Sequence, residues 1–174
     1  MKKSAVGPPL FVNDWSLFGH ALFLNQLESL IADVEKQRIK DARGFSRKNA
    51  TKRLAAIAKL AFEVIPQDPT RAEYRLGTTL GDEYKHWFRA KFFQQYRLFF
   101  RYHQESRIIV YAWVNDEGSK RAYGNDSDAY RVFRRMLESG CPPDDWKMLL
   151  AEAKREARRL HGAAKKTDVN RPKR

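Results

Sequence analysis

The chain has 174 residues, 43% of them hydrophobic, which suits one compact core. No run of 18 or more apolar residues occurs, and no apolar stretch follows Lys2 and Lys3. A membrane span and a secretory signal are therefore not expected, and a cytoplasmic location is. Lys and Arg number 34 against 21 Asp and Glu, a net charge of +13 that points to polyanionic partners.

The charge is not confined to one end. Lys165, Lys166, Arg171, Lys173 and Arg174 against Asp168 account for +4, so residues 1–161 keep +9. The single cysteine, Cys141, has no partner for a disulfide or a cysteine zinc site.

In chain order, residues 1–13 read as loose around Gly7-Pro8-Pro9. A helix is expected from Asp14 or Ser16 to about Lys40, with Leu24, Leu27, Ile31 and Val34 as a one-sided stripe. Ser46 is placed to cap a second helix reaching Ile65, stopped by Pro66 and Pro69. The two read as an antiparallel hairpin. A glycine-containing loop spans 70–83.

From Tyr84 the period changes to two, which predicts a strand through Phe92. A second strand follows over Tyr96–Tyr102, and a third, wholly covered, over Arg107–Val114. After a loop through Gly118 and Gly124, Ser127 is placed to cap a short helix carrying Tyr130, Phe133, Met136 and Leu137. A last helix runs from Trp146 to His161, and residues 162–174 read as a disordered basic tail. The class is α+β: a helical hairpin, an antiparallel sheet of three to four strands covered by helices on one side, then C-terminal helices.

The sheet turns this reading into a candidate site. A two-residue turn at Gln94-Gln95 would set Lys91 against Leu98 and point Arg97 into the core. A three-residue turn pairs Phe92 with Tyr96 and sets Lys91 beside Arg97. Only the second puts Phe88, Phe92, Leu98 and Phe100 on one face and Arg89, Lys91, Arg97 and Arg101 on the other. Like charges facing each other cost stability, so such a cluster suits an anionic ligand. Trp87, Phe99, Tyr111, Trp113 and Tyr123 lie among these cations and offer planes for stacked bases, with Trp113 better read as core. His86 shares the parity of Phe88 and Phe92 and is a weaker catalytic candidate. The acids Asp126, Asp128, Asp144 and Asp145 read as helix caps and first-turn acids, so neither a metal nor a cofactor is expected.

The stretches His86–Phe92, Tyr96–Tyr102, Trp113–Asp116, Arg121–Gly124 and Asp128–Tyr130 resemble the YhaV toxin family. Met136-Leu137, Gly140, Pro142-Pro143 and Asp145-Trp146 continue the likeness over roughly residues 13–147. More distantly, the strand cations resemble the RelE superfamily. The resemblance implies a single RelE-like domain over residues 1–161. It also implies a toxin that cleaves messenger RNA during translation without a metal, neutralised by a PrlF-type antitoxin. That complex would bind operator DNA and repress its own operon, and the first two helices would form the antitoxin's docking surface. By position, Arg89, Lys91 and Arg97 would surround the scissile phosphate. Arg121 with Tyr123 or Tyr130 would complete the site, and Lys85, Trp87, Arg101 and Tyr130 would contact RNA. Arg89 stands where RelE has a lysine, which passes the base role to Lys91 or to a residue outside this set. A same-fold toxin of the gyrase-poisoning type would not need these cations on one face. A plain nucleic-acid-binding protein would use them for affinity alone.

Overall fold

The computed structural model describes residues 7–116 and 128–171. The strands are β1 (Leu10–Val12), β2 (Trp15–Gly19), β3 (Phe88–Phe92), β4 (Tyr96–His103) and β5 (Ile108–Val114). The α-helices are α1 (Ala21–Lys40), α2 (Asn49–Lys59), α3 (Ala129–Glu138), α4 (Trp146–Lys154) and α5 (Ala157–Val169). The sheet order is β1-β2-β5-β4-β3, antiparallel throughout except for the parallel pair β2 and β5. The α+β class and the β3–β4–β5 meander agree with the sequence reading, but the sheet has five strands rather than three or four.

The two additional strands replace an expected loose segment and the start of a helix. Asn13 and Asp14 take φ of 49° and 68°, the left-handed pair of a two-residue hairpin turn, and Val12 pairs with Trp15 across it. β2 then adds beside β5, a pairing between residues some ninety positions apart that no local pattern announces. The helix begins only at Ala21, where the His20 ring accepts the Leu22 N–H at 3.2 Å. Ser46 is not the second helix's cap. That position is Lys48, which makes no side-chain cap bond, and α2 continues through a π turn at Leu60–Val64 before Pro66.

Helices cover both faces of the sheet, not one. On the first face α1, α2 and α5 bury Phe92, Tyr96, Leu98, Phe100 and Tyr111 with the expected stripe of Leu24, Leu27, Ile31 and Val34. On the second face α3 and α4 bury Phe99, Val110, Ala112 and Trp113 with Phe133, Leu137 and Leu149. Each of these clusters removes a large apolar area from water, the main favourable contribution to folding.

The expected tail is also revised. The helix does not end at His161. A break at Arg155-Glu156 separates α4 from α5, and α5 runs through Gly162 to Val169. Leu160, Ala163 and Thr167 recur at helical spacing and are buried. Arg159 holds Glu28 and Asn25 of α1 at 2.7 Å each. Small residues read as a flexible tail were instead the close-packed side of a helix. Among the described residues no helix is long and apolar enough to cross a membrane.

Candidate active site

β3 starts at Phe88, later than the alternation suggested, because Asp82–Tyr84 forms a 3-10 turn and Lys85–Trp87 leads into the strand. The register is the one the hydrophobic parity requires: Phe92 pairs with Tyr96, Lys91 with Arg97, and Ala90 with Leu98. The three-residue turn holds Phe93 and Gln94 at φ of 45° and 61°, with the Gln95 N–H donating to the Phe93 carbonyl at 2.6 Å. Asn115, at the end of β5, ties this turn down from the far side. Its Oδ1 accepts the Arg97 N–H at 2.6 Å, and its Nδ2 donates to the Gln95 carbonyl at 3.0 Å.

Arg89 and Arg97 meet at one atom. Nε of each donates to the Tyr130 hydroxyl at 3.0 Å. Asp128 positions that tyrosine by capping α3, its carboxylate accepting the Tyr130 N–H at 3.2 Å. The expected cap, Ser127, lies outside the described residues. Arg89 also donates through Nη1 to the carbonyls of Glu73 and Arg75 at 2.7 and 2.9 Å. Arg97, only 5% exposed, donates through Nη1 to the carbonyls of Gln94 and Tyr96 at 2.7 and 2.9 Å. Lys91 is exposed directly opposite Arg97.

Among the described residues, no ion pair involves Arg89, Lys91 or Arg97, although surface arginines such as Arg134 and Arg159 are paired. Three cations held together without a carboxylate form a site of positive potential. Nη2 of Arg89 and of Arg97 makes no hydrogen bond among the described residues, which leaves donors for an anion. Both lone pairs of the Tyr130 oxygen are taken by guanidinium donors, so its hydrogen can only be given away.

Other expected site residues fall elsewhere. Arg121 and Tyr123 lie outside the described residues. Trp87 is not a base-stacking platform: it is fully buried, its ring packs on Phe133, and its N–H donates to Asp144 at 2.7 Å. Phe99, Tyr111 and Trp113 are likewise interior; Phe99 and Phe133 stack at 4.2 Å and Trp113 packs beside both as core. Tyr130 is 5% exposed with its ring edge-on to Phe99, so it offers a hydroxyl rather than a stacking face.

His86 does not share the packing of Phe88. It lies before the strand, and its Nε2 is 2.6 Å from the same Asp144 oxygen that Trp87 uses. Arg101 lies between Trp87 and Trp146, 5.4 and 5.3 Å from their ring centres, and donates to the Asp144 carbonyl. Burial lowers the Arg101 pKa, opposed by the charges of Asp144 and Asp145. Lys85 is exposed and 3.3 Å from Asp82. Asp145, not Asp144, caps α4 by accepting the Met148 N–H at 3.0 Å. Among the described residues no group of three or more His, Cys, Asp or Glu is placed to hold a metal.

The model of the YhaV toxin family, described as a toxin with endonuclease activity of a toxin–antitoxin system, matches residues 17–154. The chain belongs to this family. It is 42% identical over 146 residues to the ribonuclease toxin YhaV of Escherichia coli K12, covering 83% of this chain and 95% of that one. The toxin YhaV of Escherichia coli O157:H7 matches to the same extent. No solved structure matches. The family match spans α1 to α4, so every residue of the Arg89–Arg97–Tyr130 site lies inside it.

Proposed function

We propose that this YhaV-family toxin is an endoribonuclease whose reaction is carried by Arg89, Lys91, Arg97 and Tyr130. The observation that carries this reading is the convergence of two guanidinium groups on one buried tyrosine hydroxyl, beside a lysine, with no carboxylate paired to any of the three cations among the described residues. RNA cleavage needs a base for the ribose 2′-OH, stabilisation of the charge that builds on the phosphate, and an acid for the leaving 5′-oxygen. Arg89 and Arg97 meet the phosphate oxygens through their remaining N–H donors, and preorganised charge of this kind is usually the largest contribution. Lys91 takes the 2′-proton and attack on phosphorus gives the 2′,3′-cyclic phosphate. Tyr130 gives its proton to the departing 5′-oxygen, and the charge left on the phenol oxygen is met by the same two arginines. Arg121 and Tyr123 are further contributors by position in the family pattern, as is Lys85 for RNA contact, whereas Arg101 is engaged by Trp87, Trp146 and the Asp144 carbonyl.

The substrate is messenger RNA, cut during translation. A PrlF-type antitoxin neutralises the toxin, and the complex represses its own operon through operator DNA. Family membership and the basic body support these assignments. The test is expression of the wild type and Arg97→Ala from a tight promoter, following growth and mapping transcript 5′ ends. Arrest with new 5′ ends from the wild type alone is expected. Arrest without cleavage would overturn the ribonuclease reading in favour of a non-nuclease toxin.

A further inference from the structure

β3 is the last strand of the sheet, and its outer side is only partly covered. The segment before it runs alongside and bridges once, Arg75 to Phe88, where Arg89 clasps the carbonyls of Glu73 and Arg75. Past that bridge the two segments part, and a cavity of about 590 Å³ opens against Ala90 and Lys91. That is within the ~300–1,000 Å³ typical of small-molecule pockets.

The cavity has two chemically different parts. Its apolar part is made by Leu60 and Val64, both only half-buried, at the two ends of the π turn that finishes α2. Such turns are rare and recur at functional sites. Tyr74 lines the same space. It is 3% exposed, and its ring packs edge-on against Phe100, so it lines the cavity as part of the core. The rim carries Arg75, Arg89 and Lys91 against the single acid Glu73.

We propose that this cavity is a nucleotide subsite: it takes the base next to the cleaved bond, while the rim cations hold the flanking phosphates. The proposal rests on the ribonuclease reading and adds to it a place where base identity is read. A base has the flat apolar faces that Leu60 and Val64 accept, and its flanking phosphates carry the charge that Arg75, Arg89 and Lys91 answer. The subsite joins the site continuously, because Arg89 both lines the cavity and donates to the Tyr130 hydroxyl.

The test uses Val64→Trp, which fills the apolar part, Ala72→Trp, which narrows the cavity from its exposed side, and Arg75→Ala, which removes a rim cation. Each is compared with the wild type on a single-stranded RNA pool randomised around one cleavage position and on one fixed oligoribonucleotide, with melting curves as the control for folding. The tryptophan variants are expected to raise KM roughly tenfold or more and to lose the base preference at one position beside the cut. Arg75→Ala is expected to raise KM by a smaller factor with the preference intact. Folded tryptophan variants that keep wild-type KM and preference would overturn the subsite while the ribonuclease reading stands. So would variants that cleave normally but escape the antitoxin, since the cavity would then be a protein dock. A wild type that cleaves no RNA would remove the ribonuclease reading itself.

Discussion

Arg97 and Arg101 stand four residues apart on the same face of β4, about 13 Å along the strand, and they have opposite surroundings. Arg101 is enclosed between Trp87 and Trp146, bonded to the Asp144 carbonyl and faced by the charges of Asp144 and Asp145. Arg97 has a tyrosine hydroxyl, two carbonyls, a second arginine at the same oxygen and a lysine across the ladder. A half-buried cation held between two indole rings with acids nearby is answered by the protein and serves the fold. A buried cation surrounded by other cations awaits an anion from outside. The aromatic block of Phe99, Trp113 and Phe133 separates the two ends.

Removing each arginine in turn should damage different properties of the protein. Arg97→Ala is expected to lower kcat on an RNA oligonucleotide by roughly 10²–10³-fold, as loss of a charge-stabilising donor does elsewhere. Arg101→Ala is expected to lower stability by about 2 kcal/mol in urea unfolding, through lost cation–π packing and an unanswered carbonyl, while the folded fraction still cleaves. If Arg101→Ala melted normally and lost cleavage instead, the two arginines would share one role and the contrast would collapse.

A smaller effect is expected at Tyr130. Tyr130→Phe removes the proton and the common acceptor of Arg89 and Arg97 but keeps the ring against Phe99. A drop of about 10²-fold in kcat with little change in KM is the expected result. An unchanged kcat would mean the hydroxyl only spaces the arginines apart.

Tyr111, on the opposite face, gives the smallest effect and the control. Its hydroxyl donates to the Ala61 carbonyl, and burial pushes its ionisation well above the ordinary 10. In the unfolded chain the phenol loses its proton first, so stability is whole below about pH 10 and declines as pH rises beyond it. Burial raises Tyr74, Tyr84 and Tyr102 in the same sense. Tyr111→Phe should therefore shallow the alkaline decline, measured as urea stability against pH, at a cost of about 1 kcal/mol at neutral pH. Cleavage per folded molecule should not change. An alkaline limb identical to the wild type would show that Tyr111 titrates alike in both states.

The site was legible as far as side-chain parity reaches. Phe88, Phe92, Leu98 and Phe100 can share a face in only one register, and that register sets Lys91 beside Arg97 whatever the rest of the chain does. The residue that gathers the arginines was harder to pick out. Tyr130 is separated from Arg97 by 33 positions, and its hydroxyl reaches the strands only because α3 crosses their second face. The same crossing turned Trp87 and Phe99 from presumed stacking surfaces into core, since an aromatic strand residue looks identical in sequence whether a helix or water lies above it.

Neighbours along the chain are enough to set the apolar stripe of α1, the alternation of β3 and β4, the turn that joins them and the excess of cations. Tertiary structure alone decided the pairing of β2 with β5, the helical fate of residues 162–169, the capture of His86 by Asp144 and the cavity beside β3. Each of these joins segments far apart in the chain, and local propensity carries no information about which distant surface will arrive to cover a given side chain.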